Sequence, residues 1–503
     1  MKRIIALFIS IIMILVVFTS CSKNDSFVTT LEFDNKVQTL DPQLASTIED
    51  KIMVKNLYEG LLREDANGNI VCGAASEYKV SNDGLTYTFL LRKDLLWSNG
   101  EPLTAKDFIF GLKRALSKTT KAPYAHLLKD VATYTADSDY QLTIVLKNKN
   151  NEFIKTLCKP ICMPCNEAFF NSSKGKYGLD KDHILTNGSF VLKKWNKDGE
   201  YTIRISANPD YSGNFIPTAS SVNISLGNIL ERATRLENEY IEFGFVDYTN
   251  ANKQAEKVTY FSNYDTVYIL LINQKGLLQS PEMRLGIEKA INREAIKNAL
   301  PSCFIDATSI LPPSLAYNDE PLSKTVGIHF NKFNAVKAGE HYRNALKEYK
   351  YYNLSGLNIA YYKDENIKKL SATIAETWQQ TINGYVNLKE YDSKTELSTD
   401  LYNGKYDFAI IPYSVKDGDI YDFLSNFKSS NPQFAVTLNS LKIANTSAQS
   451  LNLTKNAVGI ITNEKTAIPL IYSSTVFGTS NKYNVPKINP DNGYIDFALV
   501  TEK

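Results

Sequence analysis

The chain has little net charge, few histidines and no recognisable catalytic motif. Its 56 Lys and Arg against 54 Asp and Glu give a formal net charge of +2. No basic stripe is concentrated anywhere, so a nucleic-acid partner is not indicated. The four histidines (His126, His183, His329 and His341) stand in no catalytic pattern, and neither a Gly-x-Ser-x-Gly elbow nor a phosphate-binding loop occurs. The sequence therefore favours a protein that binds over one that catalyses.

Long apolar segments and repeats are also scarce. Only Ile4 to Phe18, preceded by Lys2 and Arg3, forms an extended apolar run, and it is too short for a typical membrane-spanning helix. No internal repeat or low-complexity segment occurs, which argues against a solenoid. The remaining chain, roughly 480 residues, is long enough for two or three domains with a sizeable core.

The first 21 residues indicate export. The basic start, the apolar run and the sequence Phe18-Thr19-Ser20-Cys21 resemble a bacterial lipoprotein signal. That resemblance implies a signal peptide over 1–21, a lipid (palmitate) on Cys21, a polar tether over 22–26 and an extracytoplasmic protein anchored to the cell membrane. Phe18 stands where such signals usually carry Leu. A plain secretory signal and an uncleaved anchor are the alternatives.

Five further cysteines follow the export segment: Cys72, Cys158, Cys162, Cys165 and Cys303. An odd number leaves at least one thiol without an internal partner. The Cys-x3-Cys-x2-Cys spacing of the middle three leaves a metal site, a disulfide and packed thiols open as interpretations. A structural zinc site needs a second ligand pair, which is missing. We therefore predict no metal and no cofactor.

Strand and helix patterns alternate along the first third of the chain. Leu85 to Leu91, Tyr140 to Leu146 and Tyr201 to Ile205 carry apolar residues at every second position, as half-buried strands do. Thr104 followed by Asp107 predicts the start of a helix, since apolar residues then recur at helical spacing.

The second half predicts buried strands and a parallel unit. Thr266 to Ile272 is a nearly continuous apolar run, typical of a strand covered on both faces. Ser280-Pro281 predicts a helix that runs to about Leu300. The strand patterns 357–362 and 386–391 flank a helical pattern, which predicts a βαβ unit with a right-handed crossover. The fold class is therefore mixed α/β, in several lobes.

Several short motifs, in a fixed order, carry a resemblance to a known family. They are Thr39-Leu40-Asp41-Pro42, Asn56-Leu57-Tyr58-Glu59-Gly60-Leu61-Leu62, Asp83-Gly84-Leu85-Thr86-Tyr87-Thr88-Phe89, Leu91-Arg92-Lys93-Asp94, Trp97-Ser98-Asn99-Gly100 and Leu103-Thr104-Ala105-Lys106-Asp107-Phe108. Looser matches are Asn187-Gly188-Ser189-Phe190, Asn208-Pro209-Asp210-Tyr211 and Ile468-Pro469-Leu470-Ile471-Tyr472. With these motifs the chain resembles the bacterial extracellular solute-binding proteins of family 5, which serve oligopeptide, dipeptide and nickel importers. Taken singly, most of the motifs are typical of turns, a helix cap and strand faces, that is, of scaffold.

The resemblance implies a clamshell of the periplasmic-binding-protein type II class. Two lobes joined by hinge segments close over a ligand, and an additional α/β domain is inserted into the first lobe. Mapped onto this sequence, lobe I takes 27–58, 187–268 and 465–503, the inserted domain 59–186, and lobe II 269–464. A ligand stabilises closure because only the closed state contacts it from both sides.

The resemblance also implies where a ligand lies. In peptide-binding members an extended peptide pairs with protein backbone like an added strand. The matching segments here are Ser46-Thr47-Ile48 and Tyr413-Ser414-Val415. Tyr124 matches a position that gives the cleft an aromatic wall, and Tyr413 stands where many peptide binders carry Trp. The alternative for each is an ordinary loop or packing residue.

A carboxylate for the peptide's α-ammonium group is the least regular feature. Peptide binders place an Asp shortly after the aromatic residue, because a buried charge needs a partner. The aligned residue here is Lys416, and a shift of one position puts Asp417 there. We predict Asp417. A cleft-facing Lys416 would instead suit a ligand that has a carboxylate or lacks a free amine.

These inferences predict a monomeric binding lipoprotein that is not an enzyme. It captures peptides outside the cytoplasm and delivers them to the permease subunits of an ABC importer. A nickel chelate, haem or an oligosaccharide on the same scaffold is the alternative ligand.

Overall fold

We describe the protein from a computed structural model. The structure describes residues 26–503 apart from 151–152, 248, 250–255, 318–319, 416–417, 445 and 490–494. The predicted signal peptide, Cys21, Lys416 and Asp417 lie outside the described residues. Within the described ranges, no helix combines the length and the apolar character needed to span a bilayer.

The strands are numbered in chain order. They are Phe27–Phe33 (β1), Leu62–Glu64 (β2), Ile70–Cys72 (β3), Ala75–Val80 (β4), Thr86–Leu91 (β5), Val131–Ser138 (β6), Gln141–Leu146 (β7), Phe190–Asn196 (β8), Thr202–Ala207 (β9), Ala219–Leu226 (β10), Phe243–Val246 (β11), Val258–Ile272 (β12), Ile305–Asp306 (β13), Ala316–Tyr317 (β14), Glu320–Pro321 (β15), Leu357–Tyr362 (β16), Val386–Tyr391 (β17), Phe408–Ser414 (β18), Ala467–Ser480 (β19), Tyr483–Asn484 (β20) and Thr501–Glu502 (β21).

The α-helices are numbered in the same way, and short 3-10 turns stand between some of them. The helices are Ile48–Leu57 (α1), Ala105–Leu116 (α2), Phe153–Thr156 (α3), Glu167–Ser172 (α4), Ile229–Glu237 (α5), Pro281–Lys289 (α6), Arg293–Ala299 (α7), Leu322–Val326 (α8), Ala335–Tyr349 (α9), Glu365–Ile382 (α10), Lys394–Tyr402 (α11), Ile420–Ser425 (α12), Pro432–Lys442 (α13) and Ser447–Glu464 (α14). The 3-10 turns are Ala125–Leu128, Pro160–Cys162, Lys181–His183, Gly276–Gln279 and Phe497–Leu499.

One large mixed sheet organises the molecule. Its order is β17-β16-β18-β12-β19-β11-β1-β10-β9-β8, with β13 beside β19. β1 runs parallel to both β10 and β11, and β16 runs parallel to both β17 and β18. The two central strands, β12 and β19, are antiparallel to each other.

β12 and β19 extend across both halves of the large sheet. They pair with each other at 258–263 and 475–480, beside β11, and again at 266–271 and 467–473, beside β18. The first core contains Leu31 and Phe243, whereas the second contains Ile269 and Trp378. Within the described part of the large sheet, β12 and β19 extend from beside β11 to beside β18, so they form the connection between its two halves.

Residues 59–186 include a second, antiparallel sheet in the order β4-β5-β7-β6. Phe89 and Leu142 of this sheet belong to the same core as Leu31 of β1. The first core therefore joins residues on both sides of the predicted boundaries at 58/59 and 186/187. The prediction assigns 465–503 to lobe I, but the start of β19, at 467–472, packs in the second core. The exact domain limits stay predictions.

Local sequence accounts for where the elements begin and end. Thr104 is the N-cap of α2 as predicted, and the carboxylate of Asp107 accepts the backbone N–H of Thr104 at 2.8 Å. The βαβ prediction is confirmed by β16, α10 and β17, with the two strands parallel.

The single helix predicted from Pro281 to about Leu300 is wrong. The chain forms α6 and α7 instead, with a break at 290–292. The side chain of Asn292 accepts the N–H of Ala295 at 3.1 Å and so caps a new helix. Apolar periodicity continues through the break, which is why the pattern alone did not reveal it.

Candidate ligand-binding cleft

A cavity of about 730 Å³ lies between the two halves of the large sheet. We call it the interlobe cavity. Its first wall is formed by the loop after β1, the first turn of α1 and the end of β11. Its opposite wall is formed by Pro412 and Ser414 of β18, and its floor by Thr266, Tyr268 and 473–476. The volume is that of a ligand pocket, and any occupant would contact both halves at once.

Arg232, on α5, holds the first wall in place. Its side chain is fully buried (0% exposed), and its guanidinium donates to the carboxylates of Asp34 and Glu32. It also donates to three main-chain carbonyls, one of which is that of Phe245 at 2.5 Å. Asp34 and Phe245 line the interlobe cavity. The planar arginine fork therefore ties the cavity wall to the core.

The predicted pairing segment 46–48 leads into a helix. Thr47 is the N-cap of α1, and its hydroxyl accepts the N–H of Asp50 at 3.1 Å. The main chain is extended at Thr47 (φ −80°, ψ 164°) and becomes helical at Ile48. Thr47 and Ile48 line the interlobe cavity, while Ser46 is exposed beside it.

Two of the predicted site residues are in contact, although they are far apart in sequence. The hydroxyl of Tyr124 donates to the main-chain carbonyl of Ser46 at 3.2 Å. The ammonium of Lys51 lies 4.7 Å from the centre of the tyrosine ring. Tyr124 lines a different cavity of about 770 Å³, between residues 123–129 and the helices α12 and α13. Tyr124 therefore lies outside the lining of the interlobe cavity.

Polar contacts cross this second cavity. His126 Nε2 lies 3.3 Å from a carboxylate oxygen of Asp419, the N-cap of α12. The ammonium of Lys129 donates to the main-chain carbonyl of Lys442 at 2.9 Å. Both pairs are partly exposed and join residues 59–186 to the half of the molecule that contains the second core.

Ser414 and Tyr413 point to opposite faces of β18. The hydroxyl of Ser414 lies 2.7 Å from that of Thr266, inside the interlobe cavity. The ring of Tyr413 packs on Phe427 with 5.0 Å between ring centres and lines a third cavity of about 520 Å³. Burial raises the pKa of Tyr413 to about 12, so it stays protonated. The structure does not bring Tyr413 into the interlobe cavity.

Asp265 is a cleft residue that the sequence patterns did not single out. In the pairing of β12 with β19, Asn263 is opposite Thr475 and Thr266 is opposite Ser473, so two residues of β12 face one of β19. Asp265 lies in this β-bulge and lines the interlobe cavity and a smaller one of about 330 Å³. Burial raises the pKa of its carboxyl, against the opposing effect of hydrogen bonds from neighbouring side chains.

The family motifs converge on a buried ion network outside the cleft. The Glu59 carboxylate binds Arg63 at 3.1 Å and Arg92 at 2.8 Å, and it accepts the hydroxyl of Tyr211 at 2.5 Å. The side-chain amide of Asn187 donates to the Glu59 carbonyl at 2.9 Å. Four of these residues come from four separate motifs, so the motifs identify the scaffold rather than the ligand site.

The five cysteines in the described part of the chain form no disulfide with one another. Cys158, Cys162 and Cys165 are buried, and burial raises the pKa of Cys158 and of Cys165 to about 12. No group of three or more His, Cys, Asp or Glu side chains in the described ranges is placed to hold a metal ion. Of the three interpretations, packed thiols agree with this structure, and the disulfide does not.

Comparison with known sequences identifies the family. Residues 69–435 match the profile of the bacterial extracellular solute-binding proteins, family 5 (middle). The chain belongs to this family. Its members bind solutes outside the cytoplasm, which agrees with a chain that carries no recognisable catalytic motif.

Individual relatives extend the match over most of the chain. A dipeptide-binding protein of Lactococcus lactis is 28% identical over 433 residues, which cover 78% of each chain. The solved structure of a Listeria monocytogenes OppA bound to peptide has a TM-score of 0.68 at 22% identity and covers 95% of this chain and 99% of that one. The murein tripeptide-binding protein MppA, in an unliganded open form, has a TM-score of 0.71 at 20% identity and covers 95% and 98%. The fold of the family-5 protein is therefore the predicted clamshell of the periplasmic-binding-protein type II class.

Proposed function

We propose that this family-5 protein captures peptides in the interlobe cavity and delivers them to the permease subunits of an ABC importer. The free edge of β18 is the observation that carries the proposal. β16 pairs with β18 only at 408–410, and no described strand pairs with that edge of 411–414. An extended peptide could add there as a strand, as main-chain recognition requires.

The orientation of Ser414 supports this mode of binding. The N–H of Val415 donates to the carbonyl of Asp265 on β12 at 2.8 Å. Because alternate residues of a strand turn their hydrogen bonds to opposite edges, the N–H and C=O of Ser414 point to the free edge. Across the cavity, the main chain is also extended at Thr47, but its carbonyl already accepts the N–H of Lys51 at 3.1 Å. Recognition through free main-chain groups tolerates many side chains.

Peptide binding by related proteins agrees with the proposal. The L. lactis relative is a dipeptide-binding protein, and the L. monocytogenes structure holds a peptide. We propose in addition that the mature chain is a monomer anchored by a lipid on Cys21, and that it releases its peptide intact. We propose that Asp417, which lies outside the described residues, binds the α-ammonium group of the peptide.

Native mass spectrometry of the chain from Ser22 onward, purified from cells, tests the ligand class. A heterogeneous set of short peptides is the expected result. A single nickel chelate, haem or oligosaccharide species would replace peptides as the ligand. Comparing the membrane fraction of the full chain with that of Cys21→Ser tests the anchor separately, since the variant is expected in the soluble fraction.

A matched pair of variants tests the strand edge itself. Ser414→Pro removes one edge N–H, and we expect peptide affinity to fall about threefold to tenfold, the effect of one hydrogen bond. Ser414→Ala keeps the N–H, so the affinity is expected to stay within about twofold. Isothermal titration with a mixture of tri-, tetra- and pentaalanine measures both. Equal affinities of the two variants would contradict strand addition at this edge.

A further inference from the structure

We propose that His126 and Lys129 form a latch across the second cavity, which holds the two halves of the molecule together and tightens when His126 is protonated. Their partners are the carboxylate of Asp419 and the main-chain carbonyl of Lys442, on the opposite side of that cavity. The inference rests on the proposed function, because such a latch serves to retain a peptide in the interlobe cavity. It assigns a role to two residues that do not line the interlobe cavity.

Each side of the latch is anchored in a different core. Leu128 lies in the 3-10 turn that also contains His126, is 1% exposed and belongs to the first core. On the other side, Phe423 of α12 and Leu441 of α13 belong to the second core. The distance across the latch therefore follows the distance between the halves. Contacts that exist only when the halves are close favour the closed state.

Lys129 binds the carboxyl end of a helix in the other half. Its ammonium donates to the carbonyl of Lys442, the last residue of α13, at 2.9 Å. The last carbonyls of a helix have no partner within the helix and carry the negative end of its dipole, so a cation there is favourable. The ammonium of Lys442 itself lies 5.5 Å from the centre of the Tyr421 ring. Lys129 therefore stabilises an end of α13 that only the closed arrangement brings within reach.

His126 adds a contact that depends on pH. Its Nε2 lies 3.3 Å from one carboxylate oxygen of Asp419, whose other oxygen accepts two N–H groups of the first turn of α12. The other charged or titratable side chains that line this cavity are Tyr124, Lys129, Tyr421, Asp422 and Lys442. Of these residue types only histidine ordinarily changes its charge between pH 5 and 8. The contact therefore becomes an ion pair as the pH falls through that range.

Packing between the two sides of the latch is sparse. A space of about 770 Å³ separates them, and Ile443, which follows α13, is 70% exposed. Because burial of apolar surface is the main force that holds protein surfaces together, its scarcity here lets two polar contacts decide how readily the sides separate. Exposed contacts of this kind are individually weak. The latch therefore sets how long a ligand stays without locking it in.

The rate of peptide dissociation tests the latch. Pentaalanine with a fluorophore at its carboxyl end is bound and then displaced by an excess of unlabelled pentaalanine. We expect dissociation from the wild type to be about twofold to fivefold slower at pH 5.5 than at pH 7, the effect of one exposed ion pair. His126→Gln should lose this pH dependence, and so should Asp419→Asn, which retains a residue suited to the N-cap. Lys129→Met should dissociate faster at both pH values and keep the pH dependence.

His183→Gln and Lys106→Met are the matched controls. His183 Nδ1 lies 2.6 Å from the carboxylate of Asp180, and the ammonium of Lys106 lies 3.0 Å from that of Asp139. Each control thus removes a histidine or lysine contact of similar chemistry that lies within residues 59–186 and does not cross between the halves. Both variants should release their peptide at the wild-type rate and with the wild-type pH dependence.

The pH dependence of dissociation from the wild type decides the inference. If it were absent, persisted in His126→Gln or disappeared in His183→Gln as well, the latch would be overturned while peptide capture stood. Should no peptide bind the wild type, the proposed function would fail, and small-angle scattering of the ligand-free chain would decide the latch instead. We then expect a smaller radius of gyration at pH 5.5 than at pH 7 for the wild type and equal radii for His126→Gln. Equal radii for both proteins would overturn the latch.

Discussion

Replacing Arg232 by Met should destabilise the half of the molecule that carries the first wall of the cleft. The arginine is fully buried and neutralises Asp34 together with Glu32. Removing one partner of a buried ion pair leaves the remaining charge uncompensated, which costs about 3 to 5 kcal/mol. Glu32 is 3% exposed and keeps only the partly exposed Arg235 at 2.8 Å, whereas Asp34 is itself 32% exposed, so the cost is expected to come mainly from Glu32 and the orphaned carbonyls.

Thermal unfolding gives the magnitude an observable form. For a cooperative unit of about 150 to 250 residues, each 1 kcal/mol corresponds to a shift of about 2 to 4 °C in Tm. The variant Arg232→Met should therefore melt about 6 to 20 °C below the wild type. Arg232→Lys keeps the charge but loses the planar fork, and we expect it to fall between the two.

Arg235→Met is the matched control, because the residue lies on the same helix and binds the same Glu32. Its side chain is 42% exposed, so solvent screening limits its contribution to about 0 to 1 kcal/mol. If Arg232→Met proved no less stable than Arg235→Met, the idea that the buried fork holds the cavity wall would be refuted.

Three further predictions follow from separate features. Gly178→Ala should lower the free energy of unfolding by more than about 1 kcal/mol, because Gly178 has φ +73° and an added Cβ would lie 2.3 Å from the backbone nitrogen of Asp41. Chemical denaturation measures this free energy, and an unchanged value would contradict the close approach. The thiols of Cys158, Cys162 and Cys165 should react with a disulfide reagent only after unfolding, since burial keeps them protonated. The half-buried Cys303 should react in the native state, and equal reaction rates of all four thiols in the native protein would contradict the burial. Burial raises the folded-state pKa of Asp265, so the folded protein holds that proton more tightly than the unfolded chain, and stability is lost as pH rises through the folded pKa. At neutral pH, Asp265→Asn should accordingly have a higher free energy of unfolding than the wild type. This difference should disappear in acid, below the pKa of Asp265 in the unfolded chain, and a difference that does not change with pH would refute the raised pKa.

Patterns that depend on neighbouring residues were predictable from the sequence. Alternation gave the strands at 85–91 and 357–362, and the spacing of Thr104 to Asp107 gave the start of α2. The break between α6 and α7 was missed, because one asparagine cap decides it within a continuous apolar period.

Features of the cleft that depend on strand register were not predictable. The resemblance placed Tyr413 in the aromatic surface of the cleft, yet its pairing with Val267 turns it to the opposite face from Ser414. Asp265 adjoins the predicted apolar run, and its position in a bulge is set by the pairing of β12 with β19. Long-range register of this kind leaves no local signal, because a shift of one residue exchanges the two faces of a strand.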